Sequence, residues 1–449
     1  MRILPIKTRT GHITAKVNNG VKEILLHSRF DPLKESGRLI NNYSLEKDDI
    51  VIIFGVGLGY HVSAVLNKLG ASGQVYVFQL GCDMFRMLNT VVDFSPVKND
   101  PRVTLFVADG IPQLAAKMSE VFNRANPEKV KVIIHRPSLE VLPLEAIDLK
   151  EALEDWVTKS STQRRFSDLL KNNLEANKEF CSKTVTIDVL CNKFLGIPAI
   201  LVSAGPSLDK EKQNLQDLAE SGKSCIISVG TALKTLVSWG VKPHLAVITD
   251  PQEVVFNQLK NIKEKIPLIV LPTVHPKLLQ AGNCPVILAV QDDEWVKEQI
   301  GISTGPVVET GGSVATTMLD IAIKMGHNPI VFVGLDLAYP EGKTHASDTM
   351  YKDFFDDVRM EEKFLRRVKS NAGEYVHTSK VFDLYRQWIE ERISRESGIR
   401  FINTSSAGAF IVGTEVASLR EITGQLPARE GDVGDLVKRA MAMGEKNKQ

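Results

Sequence analysis

The residues best suited to chemistry stand in short glycine- and hydroxyl-bearing turns at the ends of apolar runs. In AILVSAGPSLDK, Ala199 to Lys210, Gly205 lets the backbone turn, Pro206 is preorganised for a first helical turn, and Ser207 sets a hydroxyl beside free amides. A helix start of this kind attracts phosphate, although Gly-Pro also serves strand-to-helix geometry alone. Three more apolar runs end in polar residues: SCIISVG leads to Thr231, HLAVITD ends at Asp250 before Pro251, and IVFVGLDL carries Asp336. Thr310-Gly311-Gly312-Ser313 then opens the helical pattern SVATTMLDIAIKMG. Two such helix N-termini could hold one nucleotide sugar between them.

The elements that must position these turns are strands alternating with helices. From Ile197 the runs AILVSA, SCIISVG, HLAVITD, PLIVLP, PVILAV and IVFVGLDL imply a parallel sheet, whose ligands bind outside the carboxyl ends of the strands. An earlier series, IVIIF, VYVFQL, VTLFVA and KVIIHR, implies another. The expected architecture is α/β, with two Rossmann-like, doubly wound parallel-sheet domains over 1–150 and 196–412. A helical connector over 151–195 joins them, and a helical tail covers 413–449. The opening segment reads as polar and turn-rich. After Tyr351 the chain reads as helical and charged apart from IRFIN, and from Glu430 as a polar helix with a frayed end.

In the first series, IVIIF runs into Gly55-Val56-Gly57-Leu58-Gly59, a spacing that suits a nucleotide-like ligand at a helix start. Such sites normally add an acidic residue at the end of the next strand to hold ribose hydroxyls, and VYVFQL supplies Gln79 instead. The glycines then serve strand-to-helix packing, and the domain reads as a scaffold or acceptor platform. Gly222-Lys223-Ser224 and Gly342-Lys343-Thr344 imitate the end of a phosphate-binding P-loop, but Asp217 and Leu337 stand where its first glycine belongs.

Composition narrows the class. The chain has 449 residues, 43% hydrophobic and 24% charged, with 55 Lys and Arg against 54 Asp and Glu. No strong global field gathers nucleic acid or an anionic membrane, so neither is expected as a partner. Five cysteines without a C-x-x-C pair argue against a zinc site or a disulfide framework. The start MRILPIKTRTGH has no apolar core of a signal peptide, and no stretch reaches the roughly 18 apolar residues of a spanning helix. A cytoplasmic protein is expected.

The runs VSAGPSLDK, SVGTALKTLVSWGVKPHLAVITDPQE, ETGGSVATTMLDIAIKMG and VGLDLAYPEGKTHA, with GVGLGYH earlier, resemble the motility-associated factor (Maf) proteins, which glycosylate bacterial flagellin with nonulosonic acids. The central domain is also similar to archaeal 6-hydroxymethylpterin diphosphokinase and, more distantly, to bacterial sialyltransferases that use a CMP-activated donor. The sialyltransferase likeness implies that Ser203, Ala204, Gly205, Pro206 and Ser207 face the nucleotide phosphate and ribose. It sets Thr231 and Asp250 where those enzymes use amide side chains, a departure from the pattern. Thr310, Gly311, Gly312 and Ser313 fall at the cytidine and phosphate end, and Asp336 precedes a loop over the donor. In that loop Tyr339, Lys343 and His345 would stabilise the departing phosphate, with Tyr339 offset by one from the relatives' pattern; His345 reads equally as a solvated loop residue.

The resemblance implies a glycosyltransferase that moves a nonulosonic acid from CMP to Ser or Thr of flagellin, with inversion. No cofactor is expected beyond the CMP-sugar substrate. No metal is expected either, because no D-x-D pair stands at a strand end; Asp292-Asp293 lies beside a helical segment. His377, in VHTSKVFDLYRQWI, corresponds to the sialyltransferases' basic histidine at the start of a helix, where the dipole disfavours the imidazolium. The alternative is that it caps that helix with Thr378 and Ser379. Two rivals stand: a pterin diphosphokinase needing Mg²⁺ and clustered carboxylates, and a flagellin-binding chaperone without activity. The sugar, the acceptor residue and the oligomeric state are not legible.

Overall fold

A computed structural model describes residues 2–20, 22–110, 113–114, 117–118, 120–121, 129–142, 169–280, 282, 284–301, 305–343, 345–346, 365–427 and 431–448. The chain divides into two compact units, Met1–Ser161 and Thr162–Gln449. The expected helical run over 151–168 and the charged segment over 351–364 lie outside the described residues.

The first unit opens with an antiparallel sheet of β1 (Arg2–Lys7), β2 (Ile13–Asn18) and β3 (Glu23–Leu25), where the sequence reading expected turns. One face is solvated, so polar residues interrupt the apolar pattern, while Ala15 and Val17 are buried. After the helix Pro32–Asn41, N-capped by Asp31, come β4 (Ile50–Phe54), β5 (Gln74–Leu80), β6 (Val103–Ala108) and β7 (Val130–Ile134). They form a parallel sheet in the order β6-β5-β4-β7. Val51, Ile52, Ile53 and Phe54 are all buried, the pattern of a strand covered on both faces.

In the second unit eight parallel strands lie in the order β12-β11-β10-β9-β8-β13-β16-β17. They are β8 (Ala199–Val202), β9 (Cys225–Val229), β10 (Leu245–Ile248), β11 (Leu268–Val270), β12 (Val286–Leu288), β13 (Ile330–Val333), β16 (Phe401–Asn403) and β17 (Glu415–Val416). A separate antiparallel hairpin, β14 (Leu365–Lys369) and β15 (Tyr375–Ser379), replaces part of the helix expected after Tyr351. Its strands LRRVK and YVHTS are largely solvated and carry no apolar run. Each parallel sheet is doubly wound, as expected, with its order reversing between β4 and β7 or between β8 and β13.

Helices cover the larger sheet. Val314–Met325 is buried over nearly its whole length, and residues 169–183 form a helix that sets Leu174 and Cys181 against Ile248 and Val270. The tail is less polar in place than in sequence. Leu419 and Ile422 of the helix Leu419–Gln425, and Val433, Val437, Ala440 and Met441 of Val433–Lys448, join the main core, while β17 extends the sheet. Among the described residues no helix is long and apolar enough to cross a membrane.

Candidate functional site

The crevice outside the carboxyl ends of β8 and β13 is the position where an open parallel sheet offers a ligand site. Gly205 follows β8 with φ −70° and ψ 165°, so it is not there for the left-handed region. It is required by proximity: a Cβ would sit 2.3 Å from Asp336 Oδ2 and 2.6 Å from the Gly334 carbonyl. Pro206 opens a 3₁₀ turn, Pro206–Lys210, and the α-helix begins only at Lys212.

Ser207 departs from its expected part. Its backbone N–H and its hydroxyl both donate to Asp336 Oδ2, each at 2.9 Å, so the donors expected to meet phosphate are committed to an internal carboxylate. The Ser405 hydroxyl donates to Asp336 Oδ1 and accepts from Gly408 N–H at 3.0 Å. Asp336 is 2% exposed; burial raises its carboxyl above the ordinary value, against the lowering effect of Ser405 and Ser207. It ties together the carboxyl ends of β8, β13 and β16. Ser203, the residue before Ala204, keeps a buried hydroxyl with no hydrogen-bond partner.

The loop after β13 folds back onto this turn. Leu337 takes φ 47°, Tyr339 N–H donates to the His377 carbonyl at 2.8 Å, and Thr378 Oγ1 donates to the Leu337 carbonyl at 2.7 Å. Ala346 N–H closes the loop onto the Ala204 carbonyl at 3.0 Å. Tyr339 is buried against Phe382, ring centroids 5.3 Å apart, and burial raises its phenol, opposed by a hydrogen bond with Ser379. His345 is half-buried, which lowers its imidazole below the ordinary value. Lys343 is exposed and pairs with Glu341 at 3.2 Å.

His377 does not open a helix. It is exposed on β15, opposite Arg367 of β14, and Ser379 is the N-cap of the helix Lys380–Ser394, accepting from Phe382 N–H at 3.1 Å. His377 therefore lies on the strand, two residues before the N-cap Ser379, and not in the first turn of the helix. The backbone bond to Tyr339 nonetheless brings the two loops together.

Thr231, half-buried, is the second residue of the helix Gly230–Ser238 after β9, and Asp250 follows β10. Asp250 Oδ1 accepts from Gln252 N–H at 2.8 Å, closing its own turn. The helix Val314–Met325 feeds β13 at the amino edge, so its N-terminus faces the carboxyl edge of the sheet. Ser313 caps that helix: its hydroxyl accepts from Thr316 N–H at 3.2 Å, while Thr316 Oγ1 accepts from Gly311 N–H at 3.0 Å. A Cβ on Gly311 would lie 2.5 Å from the Trp388 ring, and one on Gly312, at φ 88°, 3.3 Å from Tyr385. These glycines admit two half-buried aromatics that sequence reasoning missed, since nothing local links Tyr385 and Trp388 to positions 311 and 312. Thr310 is exposed beside them.

In the first unit Gly55, Gly57 and Gly59 take φ of 87°, 51° and 81°. Gln79, buried at the end of β5, accepts from Val56 N–H at 3.0 Å and donates to the Leu80 carbonyl at 2.6 Å. Its side chain holds the loop from inside, where a ribose-binding acid would face outward.

Residues 171–342 match the family model described as 6-hydroxymethylpterin diphosphokinase MptE-like. Among solved structures, the MAf glycosyltransferase from Magnetospirillum magneticum AMB-1 is similar with a TM-score of 0.51 at 16% sequence identity, over 100% of this chain and 74% of that one. No curated protein matches the sequence. The likeness carried by the sequence motifs thus returns as a likeness of fold: the chain is built like a MAf glycosyltransferase, with an MptE-like domain in its second unit.

Proposed function

We propose that the second unit is a glycosyltransferase, which moves a nonulosonic acid from its CMP-activated donor to Ser or Thr of flagellin in the cytoplasm. The observation that supports this reading is that the loop after β13 is tied both to the end of β8, through Ala346 to Ala204, and to the hairpin strand β15, through Tyr339 to His377. A donor in the crevice would lie under that loop, and an acceptor protein would meet His377 on the exposed strand.

The acceptor oxygen attacks the anomeric carbon, its proton passes to the His377 imidazole, and the bond to phosphate breaks with its electrons leaving on CMP. Attack from the face opposite the phosphate inverts the centre. Tyr339, kept protonated by burial, together with Lys343 and His345, would donate to the departing phosphate and do the work of a metal. Because Ser207 is committed to Asp336, the proposed phosphate contacts shift to this loop and to the Ser203 hydroxyl. Thr231, Asp250 and the turn from Thr310 to Ser313 would flank the donor, with Tyr385 and Trp388 beside the latter.

The family description favours one other reading, pyrophosphoryl transfer to a pterin. Its candidate carboxylates are committed, Asp336 to two serines and Asp250 to its own turn. Purified chain incubated with flagellin and a CMP-nonulosonate, and separately with ATP, Mg²⁺ and 6-hydroxymethylpterin, separates the two. Transfer predicts added nonulosonate mass on intact flagellin; a pterin diphosphate product alone would reverse the assignment.

A further inference from the structure

The glycine loop of the first unit wraps a cluster that the transfer reaction does not use. His27 follows β3, His61 lies in the helix Tyr60–Leu66, and His135 follows β7, so the fold brings three distant segments to the β4/β7 switch point. The three are 3%, 0% and 4% exposed. One ring nitrogen of each lies within 4.8 Å of the others. The three rings form a triangle, with His135 4.6 Å from His27 and 4.4 Å from His61, and those two 5.7 Å apart.

The hydrogen bonds fix where the lone pairs lie and leave one of them, on His61, without a partner. His61 Nε2–H donates to the Gly55 carbonyl at 2.9 Å, so its Nδ1 carries the lone pair, buried and without a partner. His27 Nδ1 faces the Glu35 carboxylate at 3.3 Å, which demands a hydrogen there and leaves the lone pair on Nε2. That nitrogen accepts from Leu58 N–H at 3.1 Å, and His135 Nδ1 lies 2.7 Å from the Ser138 hydroxyl. Each of those two lone pairs is thus engaged by one protein group, a backbone N–H or a hydroxyl, which a bound ion would have to displace.

We propose that His27, His61 and His135 bind a first-row transition-metal dication of the zinc class. Three neutral imidazoles are the donor set such ions prefer, and a carboxylate behind one ring is the usual outer partner of a metal-bound histidine. The space suits one atom and no organic molecule, because even a Cβ on Gly57 would come within 2.7 Å of His27 Nε2 and 2.8 Å of His135 Cε1. Zinc at about 2.1 Å from each nitrogen requires the rings to close in from separations of up to 4.8 Å.

The test is titration of the full chain, stripped with a chelator and dialysed, with Zn²⁺ against a competing chromophore and with Co²⁺ followed by visible absorption. The expected result is about one equivalent bound, with the intense visible bands of low-coordinate cobalt. His61→Ala should weaken affinity by about 10²-fold or more, and Glu35→Gln, at an exposed carboxylate, by about 10- to 100-fold with the melting curve of the stripped chain unchanged. Absence of saturable binding and of cobalt bands in the folded wild-type chain overturns the proposal, as does affinity unaltered in both variants. If His61→Ala does not fold, Glu35→Gln decides.

Discussion

In the first unit the turn after β4 has positive φ at Gly55, Gly57 and Gly59, and its inner side is lined by the Gln79 amide and by imidazoles. In the second unit the turn after β8 has ordinary φ at Gly205, and its inner side is filled by the Asp336 carboxylate. Both turns stand at the switch point of a parallel sheet; in sequence the second reads as a place for a phosphate and the first, for want of an acid at Gln79, as strand-to-helix packing. A glycine turn is thus defined by the group that fills it from within. At Ser207 a carboxylate takes up the donors that a phosphate would have met. Neutral imidazoles leave lone pairs, which attract a cation.

The largest expected contrast between the units is in their response to acid, with chelator present so that no ion is bound. The folded value of His61, about 3, lies below its ordinary 6.5, so the unfolded state takes up the proton first. Stability present above about pH 6.5 is lost as pH falls toward about 3, by about 5 kcal/mol over the whole range at about 1.4 kcal/mol per unit. Asp336 runs the other way: its folded value is raised, so its contribution is complete below the ordinary carboxylate range and is lost as pH rises through that folded value. Segment-resolved hydrogen exchange, corrected for intrinsic rates, should show β4 and β7 loosening in acid before β8 and β13. Equal loosening of both sheets would erase the distinction.

Asp336→Ala should cost about 2–4 kcal/mol, because it strands the Ser207 and Ser405 donors in a buried site. A shift in the calorimetric melting of under about 0.5 kcal/mol would mean that Asp336 does not knit the strand ends. Smaller effects separate the two uses of glycine. Gly205→Ala meets a crowded carboxylate without backbone strain and should cost about 1–3 kcal/mol. Gly59→Ala, with no contact closer than 3.4 Å but φ 81°, should cost about 1 kcal/mol. The reverse order in chemical denaturation would contradict these assignments. Smallest of all, the full chain should show no saturable binding of NAD or S-adenosylmethionine, since Gln79 is spent on Val56; micromolar affinity for either would reopen the first turn as a nucleotide site.

How much was legible follows from range. The strands of both parallel sheets stand out because burial on both faces demands unbroken runs such as IVIIF and IVFV. The sheet of β1 to β3 and the hairpin of β14 and β15 are hidden by their solvated faces. The candidate turns were located correctly along the chain, but their fillings were not. Asp336 meets Ser207 across 129 positions and Ser405 across 69, and no local pattern announces either pair. The same holds for His27, His61 and His135, and for Trp388 against Gly311. The placement of His377 at a helix start failed differently: VHTSKVF carries a true N-cap, Ser379, and the strand before it is too polar to read.

The central claim is that the crevice of the second unit transfers a sugar with His377 as base, and it is tested most directly by His377→Ala. The residue is exposed, so the variant should fold. Flagellin glycosylation by the purified variant, followed by intact mass, should fall about 10²-fold or more while CMP affinity by calorimetry stays within about twofold. Transfer at a near wild-type rate would contradict the assignment of the base and move it to His345.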